Sequence, residues 1–257
     1  MAEPANEDTV KEAAMAYFAE FPDDKHMIVV PDLFEKIDAG EDMFIIDIRR
    51  AEDYAQGHLK GAVNIPYGPE VAEALDRIPD DTPVYVNCYT GQTSSQTVAL
   101  LNVAGKYATN IQSGWNNGIS QTEGYEAYID TEETAIPQDT YEVDPAIAAA
   151  IADYYKEASS NAIASFNFKP EALMELVDAE SEDYTILSIR QAEDYAKGHI
   201  AGAIISRLLK ECRNSLARSQ WINQWLCIAT QARHLHRQQQ SCAFLDMRHT
   251  HFGRHWA

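Results

Sequence analysis

Cysteine and basic residues are scarce in this 257-residue chain, and no run of 18 or more apolar residues occurs. Cys88 is the only cysteine among the first 204 residues, which excludes an internal disulfide framework there. Those residues carry 12 Lys and Arg against 38 Asp and Glu, a balance that disfavours nucleic acid and anionic membranes as partners. The missing apolar run predicts a soluble protein with no membrane span.

The N-terminus shows no signal peptide as written. We therefore expect a cytoplasmic protein, or an exported one if Met1 follows a removed export signal. The length is enough for two cores of roughly 100–150 residues each.

Strand-like and helix-like stretches alternate in the first half of the chain. Continuous apolar runs, typical of strands buried on both faces, occupy 43–48, 62–65 and 84–86. Helix-like stretches occupy 31–37, 51–56, 69–75 and 93–104. Such alternation predicts an α/β fold in which helices flank a central parallel sheet on both faces.

A cysteine loop follows the last of these strands and leads into a helix. Its residues are Cys88, Tyr89, Thr90, Gly91, Gln92, Thr93 and Ser94. Backbone N–H groups in such a loop, together with the helix dipole, favour an anion and should stabilise a reactive thiolate. The alternative is a buried structural cysteine, which is common in proteins.

A second set of motifs lies upstream of the loop. In chain order it reads Asp47-Ile48-Arg49, Glu52-Asp53-Tyr54, Gly57-His58-Leu59 and Gly61-Ala62-Val63-Asn64-Ile65-Pro66. With the cysteine loop and the triplet Ser113-Gly114-Trp115, this order resembles the rhodanese (sulfurtransferase) family over roughly residues 28–120. The resemblance implies the rhodanese-like fold, with a central parallel sheet covered by helices.

The same resemblance implies sulfur transfer without a cofactor or a metal. The Cys88 thiolate would take the outer sulfur of a donor such as thiosulfate as a persulfide and pass it to cyanide or a thiol. Loop amides would hold the donor, Gly91 would permit the tight turn, and Thr93 would add a hydroxyl near the sulfur. Relatives that prefer thiosulfate often carry cationic side chains just after the cysteine, whereas Tyr89 and Thr90 are neutral, as is Gln92. The physiological donor therefore stays open.

Four further residues are expected to support the site structurally. Asp47 and Arg49 are interpreted as an ion pair near a strand end. His58 is expected to fix a loop by hydrogen bonding rather than to act as a general base. Trp115 is expected to pack beneath the active loop.

Two other functions fit a cysteine loop on this kind of fold. A dual-specificity phosphatase or an arsenate reductase would need an arginine six residues after the cysteine, where this chain has Ser94. A persulfide carrier or sensor would use Cys88 without turnover, and the neutral loop leaves that function open.

The upstream motifs recur later in the chain. Residues 186–204 restate 45–63 at a constant offset of 141, so that Ala192 corresponds to Ala51. Ser188 replaces the aspartate found at position 47. We therefore predict a duplicated fold with an incomplete second copy: a first domain at 1–130, a connection with a lead-in helix at 131–165, and the start of a second domain at 166–204.

The composition changes abruptly after this repeat. Residues 205–257 contain no Pro, Val or Tyr, and eight Lys and Arg against two Asp and Glu. If codons are rebuilt from the third base of one residue and the first two bases of the next, positions 217–235 can spell Lys-Ile-Pro-Met-Asp-Lys-Pro-Met-Val-Val-His followed by Cys-Tyr-Thr-Gly-Gln-Thr-Ser. The rebuilt cysteine codon spans Ile228 and Ala229, and 88 + 141 = 229. We predict that this segment is translated out of frame and has little dependable structure.

The tail also holds three cysteines and five histidines, namely Cys212, Cys227, Cys242, His234, His236, His249, His251 and His255. Their spacing lacks the close pairs that zinc sites favour. No metal site is therefore predicted.

Overall fold

The computed structural model describes residues 7–160, 167, 170–179, 184–188, 191–205 and 244–247. The first of these ranges forms a body with one apolar core on each face of a central sheet. None of the helices in the described ranges is long and apolar enough to cross a membrane.

Five parallel strands form the central sheet in the order β1-β6-β5-β2-β4. They are β1 (Met27–Ile28), β2 (Phe44–Asp47), β4 (Val63–Asn64), β5 (Val84–Asn87) and β6 (Ala108–Ile111). Neighbouring residues of β2 enter opposite cores, since Ile46 packs on one face of the sheet and Ile45 on the other. Burial on both faces explains the continuous apolar runs, and the predicted α/β fold is confirmed.

Helices cover both faces of this sheet. One face carries α1 (Glu7–Ala19), α4 (Pro69–Glu73), α5 (Gln92–Val103) and α7 (Pro145–Ser160), and the other carries α2 (Val30–Asp38), α3 (Ala51–Tyr54) and α6 (Gly114–Asn117). Every residue of α5 from Ser94 to Leu101 is buried. A helix covered on all sides needs no polar face, which explains why α5 shows no amphipathic stripe.

The helix α7 is part of the first core. Tyr155 on α7 is fully buried, and its hydroxyl lies 2.9 Å from Oγ1 of Thr97 on α5. Ile151 and Ala158 pack in the same core. The segment 131–165, predicted as connection and lead-in, thus supplies a helix that lies against the preceding domain.

A second, smaller set of elements repeats local features of the first. It comprises α8 (Pro170–Asp178), β8 (Tyr184–Ser188), α9 (Ala192–Lys197) and β9 (Ile204–Ile205). The strands β8 and β9 run parallel, with Leu187 opposite Ile204, as Ile46 lies opposite Val63 in the first sheet. Both pairs differ by the 141-residue offset found in the sequence.

On its other side β8 pairs with β10 (Phe244–Met247), and this pairing is antiparallel. In the first sheet the corresponding neighbour of β2 is β5, which is parallel. Of the residues after 205, the structure describes 244–247 alone. The rebuilt cysteine codon at 228–229 and the Cys and His residues of the tail therefore lie outside the described residues.

Candidate active site

Cys88 follows β5 directly and lies at the carboxyl end of the sheet, where ligands of open α/β sheets bind. Its side chain is buried, with an exposed fraction of 1%. The Gly91 N–H donates a hydrogen bond to Sγ at 3.0 Å, and Oγ of Ser94 lies 3.1 Å from the same sulfur. Gly91 has φ +88°, so a side chain at this turn would be strained.

The hydroxyl that reaches the sulfur is that of Ser94, whereas the sequence predicted Thr93 for this role. Residues 93 and 94 both lie in the first turn of α5, about 100° apart around its axis. Ser94 points inward and is fully buried, whereas Thr93 is half-buried. The way in which α5 packs on the sheet determines which of these two hydroxyls faces the sulfur.

The backbone of α6 supports the loop from below. The Trp115 N–H donates to the carbonyl oxygen of Cys88 at 2.7 Å, and the Asn116 N–H donates to that of Tyr89 at 2.8 Å. Gly114 begins this helix with φ +58°, and a Cβ there would lie 2.4 Å from the Cys88 carbonyl oxygen. The loop and α6 can therefore meet this closely only because residue 114 is glycine.

Asp47 and Arg49 form a buried ion pair beside the loop. Nη2 of Arg49 donates to Oδ2 of Asp47 at 2.7 Å and to the Gly57 carbonyl at 2.7 Å. The guanidinium lies 3.9 Å from the ring centre of Trp115, and Nδ2 of Asn87 donates to Asp47 at 3.1 Å. These side chains join β2, β5 and α6 in one buried cluster, which fits a supporting function.

His58 lies in the short antiparallel pair formed by β3 (His58–Leu59) and β7 (Ile129–Asp130). Its ring stacks on Tyr54 with 3.6 Å between ring centres. Nδ1 lies 2.9 Å from the Tyr54 carbonyl and Nε2 lies 3.1 Å from the Glu132 carbonyl. Since both nitrogens face backbone carbonyls, the ring holds the 129–132 segment and has no nitrogen free for proton transfer to a substrate.

Tyr89 links the loop to α3. Its hydroxyl donates to the Asp53 carboxylate and accepts from the Arg50 N–H at 3.2 Å. Burial and the Asp53 carboxylate both raise the pKa of Tyr89, so its hydroxyl stays protonated at neutral pH. Thr90 and Gln92 interact with each other, with 3.4 Å between Oγ1 and Oε1. The side chains of Tyr89, Thr90 and Gln92 are therefore neutral, and the Asp53 carboxylate lies next to Tyr89.

Within the described ranges, no group of three or more His, Cys, Asp or Glu side chains is arranged to hold a metal ion.

Comparison with known proteins gives matches to the same part of the chain. A family described as the rhodanese-like domain matches residues 29–121. The Bacillus subtilis protein YrkF, named as a sulfur carrier protein, is 29% identical over 90 residues, which cover 35% of this chain and 48% of YrkF. The Bacillus subtilis protein YtwF, named as a sulfurtransferase, is 36% identical over 84 residues, which cover 32% of this chain and 79% of YtwF.

A third relative is the thiosulfate sulfurtransferase GlpE of Pseudomonas entomophila, 30% identical over 91 residues, which cover 35% of this chain and 74% of GlpE. The chain thus spans about half the length of YrkF and about three quarters of the two sulfurtransferases. The match to the family, together with the extent and identity of the match to YtwF, shows that the chain belongs to the rhodanese-like domain family.

Proposed function

We propose that the protein is a sulfurtransferase that carries sulfane sulfur as a persulfide on Cys88. The observation that carries this proposal is the placement of Sγ within hydrogen-bond distance of the Gly91 N–H and the Ser94 hydroxyl, at the end of a central strand. The Gly91 N–H can stabilise negative charge on sulfur, and so can the Ser94 hydroxyl when its proton turns to Sγ. The names of YtwF, GlpE and YrkF, two sulfurtransferases and a sulfur carrier, agree with this chemistry.

The proposed reaction has two steps. The Cys88 thiolate attacks the outer sulfur of thiosulfate, the sulfur–sulfur bond of the donor breaks, and sulfite leaves with its electron pair. The product is a Cys88 persulfide anion. A nucleophile such as cyanide then attacks the outer sulfur, thiocyanate departs, and the Cys88 thiolate is restored.

The loop favours donors of low negative charge. Thiosulfate is a dianion, yet Tyr89, Thr90 and Gln92 offer no cation, and Asp53 accepts a hydrogen bond from Tyr89. We therefore expect a monoanionic thiosulfonate such as methanethiosulfonate to have a lower KM than thiosulfate. A lower KM for thiosulfate would contradict this account of donor choice while leaving sulfur transfer itself intact.

The test of the function is thiocyanate formation from thiosulfate and cyanide, combined with mass spectrometry of the donor-treated protein. We expect turnover by the wild type, a mass increase of one sulfur atom on the peptide that contains Cys88, and loss of both in Cys88→Ser. Full activity of Cys88→Ser would refute the proposal.

A sulfur carrier or sensor is the second candidate, and the similarity to YrkF favours it specifically. Such a protein would take up one sulfur atom on Cys88 without catalytic turnover of cyanide. The two assays separate the candidates, because a carrier shows the mass increase and no sustained thiocyanate formation. A phosphatase or arsenate reductase has less support, since Ser94 occupies the place of the required arginine and is buried against the sulfur.

We also propose that residues 166–204 begin a second copy of the domain and that the reading frame shifts near codon 204. The second copy is supported by the strand pairs β8–β9 and β2–β4, which share the same register. It is also supported by two equivalent hydrogen bonds, from Tyr195 to the Ala203 carbonyl and from Tyr54 to the Ala62 carbonyl. Sequencing the coding DNA across codons 200–236 tests the second part. The expected result is a Cys-Tyr-Thr-Gly-Gln-Thr-Ser loop in the shifted frame, and any other reading there would refute the frame shift.

A further inference from the structure

A buried chain of side-chain hydrogen bonds ends at the Cys88 sulfur. Oγ of Ser94 lies 3.1 Å from Sγ and 2.6 Å from Oδ1 of Asn110, a residue of β6. Nδ2 of Asn110 donates to Oγ of Ser95 at 3.0 Å, and the Ser95 hydroxyl donates to the Gly91 carbonyl at 2.7 Å. Asn110 itself is 1% exposed, and nothing in the sequence motifs pointed to it.

The direction of each bond in this chain is determined by the number of protons. Ser95 has one hydroxyl proton, and its donation to the Gly91 carbonyl leaves its oxygen as an acceptor for Asn110. The amide group of Asn110 must therefore turn Nδ2 toward Ser95 and Oδ1 toward Ser94. An Asn110 flipped by 180° would place two acceptor oxygens against each other at Ser95.

This arrangement gives the single Ser94 hydroxyl proton two acceptors, Oδ1 of Asn110 and Sγ of Cys88. The shorter distance, 2.6 Å, is to Oδ1. When the Ser94 proton points to Asn110, the Ser94 oxygen presents lone pairs to the sulfur, and a Cys88 thiol can donate to it. All groups are then satisfied with Cys88 protonated.

Ionisation of Cys88 disrupts this order. If the Ser94 proton turns to the Cys88 thiolate, Oδ1 of Asn110 is left buried without that donor. If the proton keeps pointing to Asn110, the lone pairs of the Ser94 oxygen face the negatively charged sulfur. A buried acceptor that loses its donor costs free energy. We propose that Asn110 is a positioning residue that turns the Ser94 hydroxyl away from Cys88 and so holds the resting cysteine in its thiol form.

Two kinds of neighbour could also influence ionisation of Cys88. The groups within hydrogen-bond distance of Sγ among the described residues, Gly91 N–H and the Ser94 hydroxyl, are both neutral. Charged or titratable groups on the surrounding elements include Asp47, Arg49, Arg50, Asp53, Tyr67, Tyr89 and Tyr155. A substitution of Asn110 leaves all of them in place, so a change in the pH profile can be assigned to the Ser94 hydroxyl.

The inference concerns the cysteine that the proposed function uses, and its test is alkylation of Cys88 by iodoacetamide, which needs no sulfur donor. Asn110→Leu removes Oδ1 while keeping the number and branching of the side-chain heavy atoms, and it leaves the Ser94 hydroxyl free to donate to the sulfur. Because the Ser94 hydroxyl can then donate a hydrogen bond to the thiolate, we expect about a tenfold faster alkylation at pH 7 and a profile displaced to lower pH. The rate at high pH, where all Cys88 is thiolate, should stay unchanged.

Alkylation of the full chain is followed on the Cys88 peptide by mass spectrometry, and circular dichroism checks that each variant is folded. The matched control repeats the substitution in a Ser94→Ala background, where the gain should disappear. Asn110→Ala provides a second variant without added bulk, and either folded variant decides the question. An unchanged or slower rate, or an equal gain without Ser94, would overturn the proposal. Absence of sulfur transfer with the expected alkylation result would refute the proposed function alone.

Discussion

Gly114 offers a sharp test of how α6 supports the active loop. A Cβ added at residue 114 would lie 2.4 Å from the Cys88 carbonyl oxygen and 2.8 Å from the backbone nitrogens of Thr90 and Gly91. Contacts below 3.0 Å are not tolerated, so the loop or α6 must shift by at least 3.0 − 2.4 = 0.6 Å. The displaced atoms include those that hold Sγ in place.

The expected cost of Gly114→Ala follows from these contacts. A side chain at φ +58° costs about 1 kcal/mol. Weakening the Trp115 to Cys88 backbone bond and the Gly91 to Sγ bond adds about 1 kcal/mol each. We expect the free energy of unfolding to fall by about 3 kcal/mol and thiocyanate formation to fall about a hundredfold, since a displacement approaching 1 Å can cost that much.

Gly105→Ala is the matched control. Gly105 has φ +81°, and nothing lies within 4 Å of an added Cβ, so this variant carries the backbone strain without the clash. It should lose about 1 kcal/mol in urea unfolding and keep wild-type activity. If Gly114→Ala matched Gly105→Ala in both stability and turnover, the close approach of α6 to the loop would have no effect on stability or activity, and the prediction would be wrong.

Three further predictions concern charge. Asp47→Asn leaves the Arg49 guanidinium buried without its counter-ion, so the free energy of urea unfolding should fall by about 3–5 kcal/mol; a loss below 1 kcal/mol would contradict the buried ion pair. Lys106→Met should raise the free energy of unfolding by about 1 kcal/mol at pH 7, because the Lys106 ammonium is buried with no hydrogen-bond partner among the described residues; it lies 5.3 Å from the centre of the Tyr141 ring, and Asp80 and Asp76 attract it through their charge alone. Thr90→Lys should lower the KM for thiosulfate roughly fivefold, as an exposed ion pair is worth up to about 1 kcal/mol, whereas Thr90→Gln should not.

The Lys106 prediction also has a definite pH dependence. Burial lowers the pKa of Lys106 below that of an unfolded lysine, so the unfolded chain binds more protons between the two values. The penalty is fully present below the folded-state pKa and disappears as the pH rises through about 10.4, the unfolded value. The advantage of Lys106→Met should therefore shrink in urea unfolding at alkaline pH, and a constant advantage would contradict the burial argument.

The local sequence was sufficient to predict the strands of the central sheet and the position of the cysteine loop. The runs around β2 and β5 are apolar at consecutive positions because both faces of each strand are covered, and that pattern is visible without a structure. Cys88 could be placed at a strand end because a glycine-containing loop and a helix follow it directly.

The partners of Cys88 depend on contacts between distant segments, and here local pattern was insufficient. Thr93 and Ser94 are equivalent as hydroxyl donors in sequence, and only the docking of α5 turns Ser94 to the sulfur. Asn110 reaches the site because β6 lies next to β5 in the sheet. Likewise α7 reads as a connecting helix but packs in the first core.

The sequence by itself thus determined the strand-loop-helix frame of Cys88, because backbone propensity and burial pattern act within a few residues. The tertiary structure alone decided which side chains surround the sulfur and which glycine lies beneath the loop. Asn110 meets Ser94 across 16 residues of chain, and Gly114 lies against Cys88 across 26 residues, and no periodic pattern records contacts at such separations.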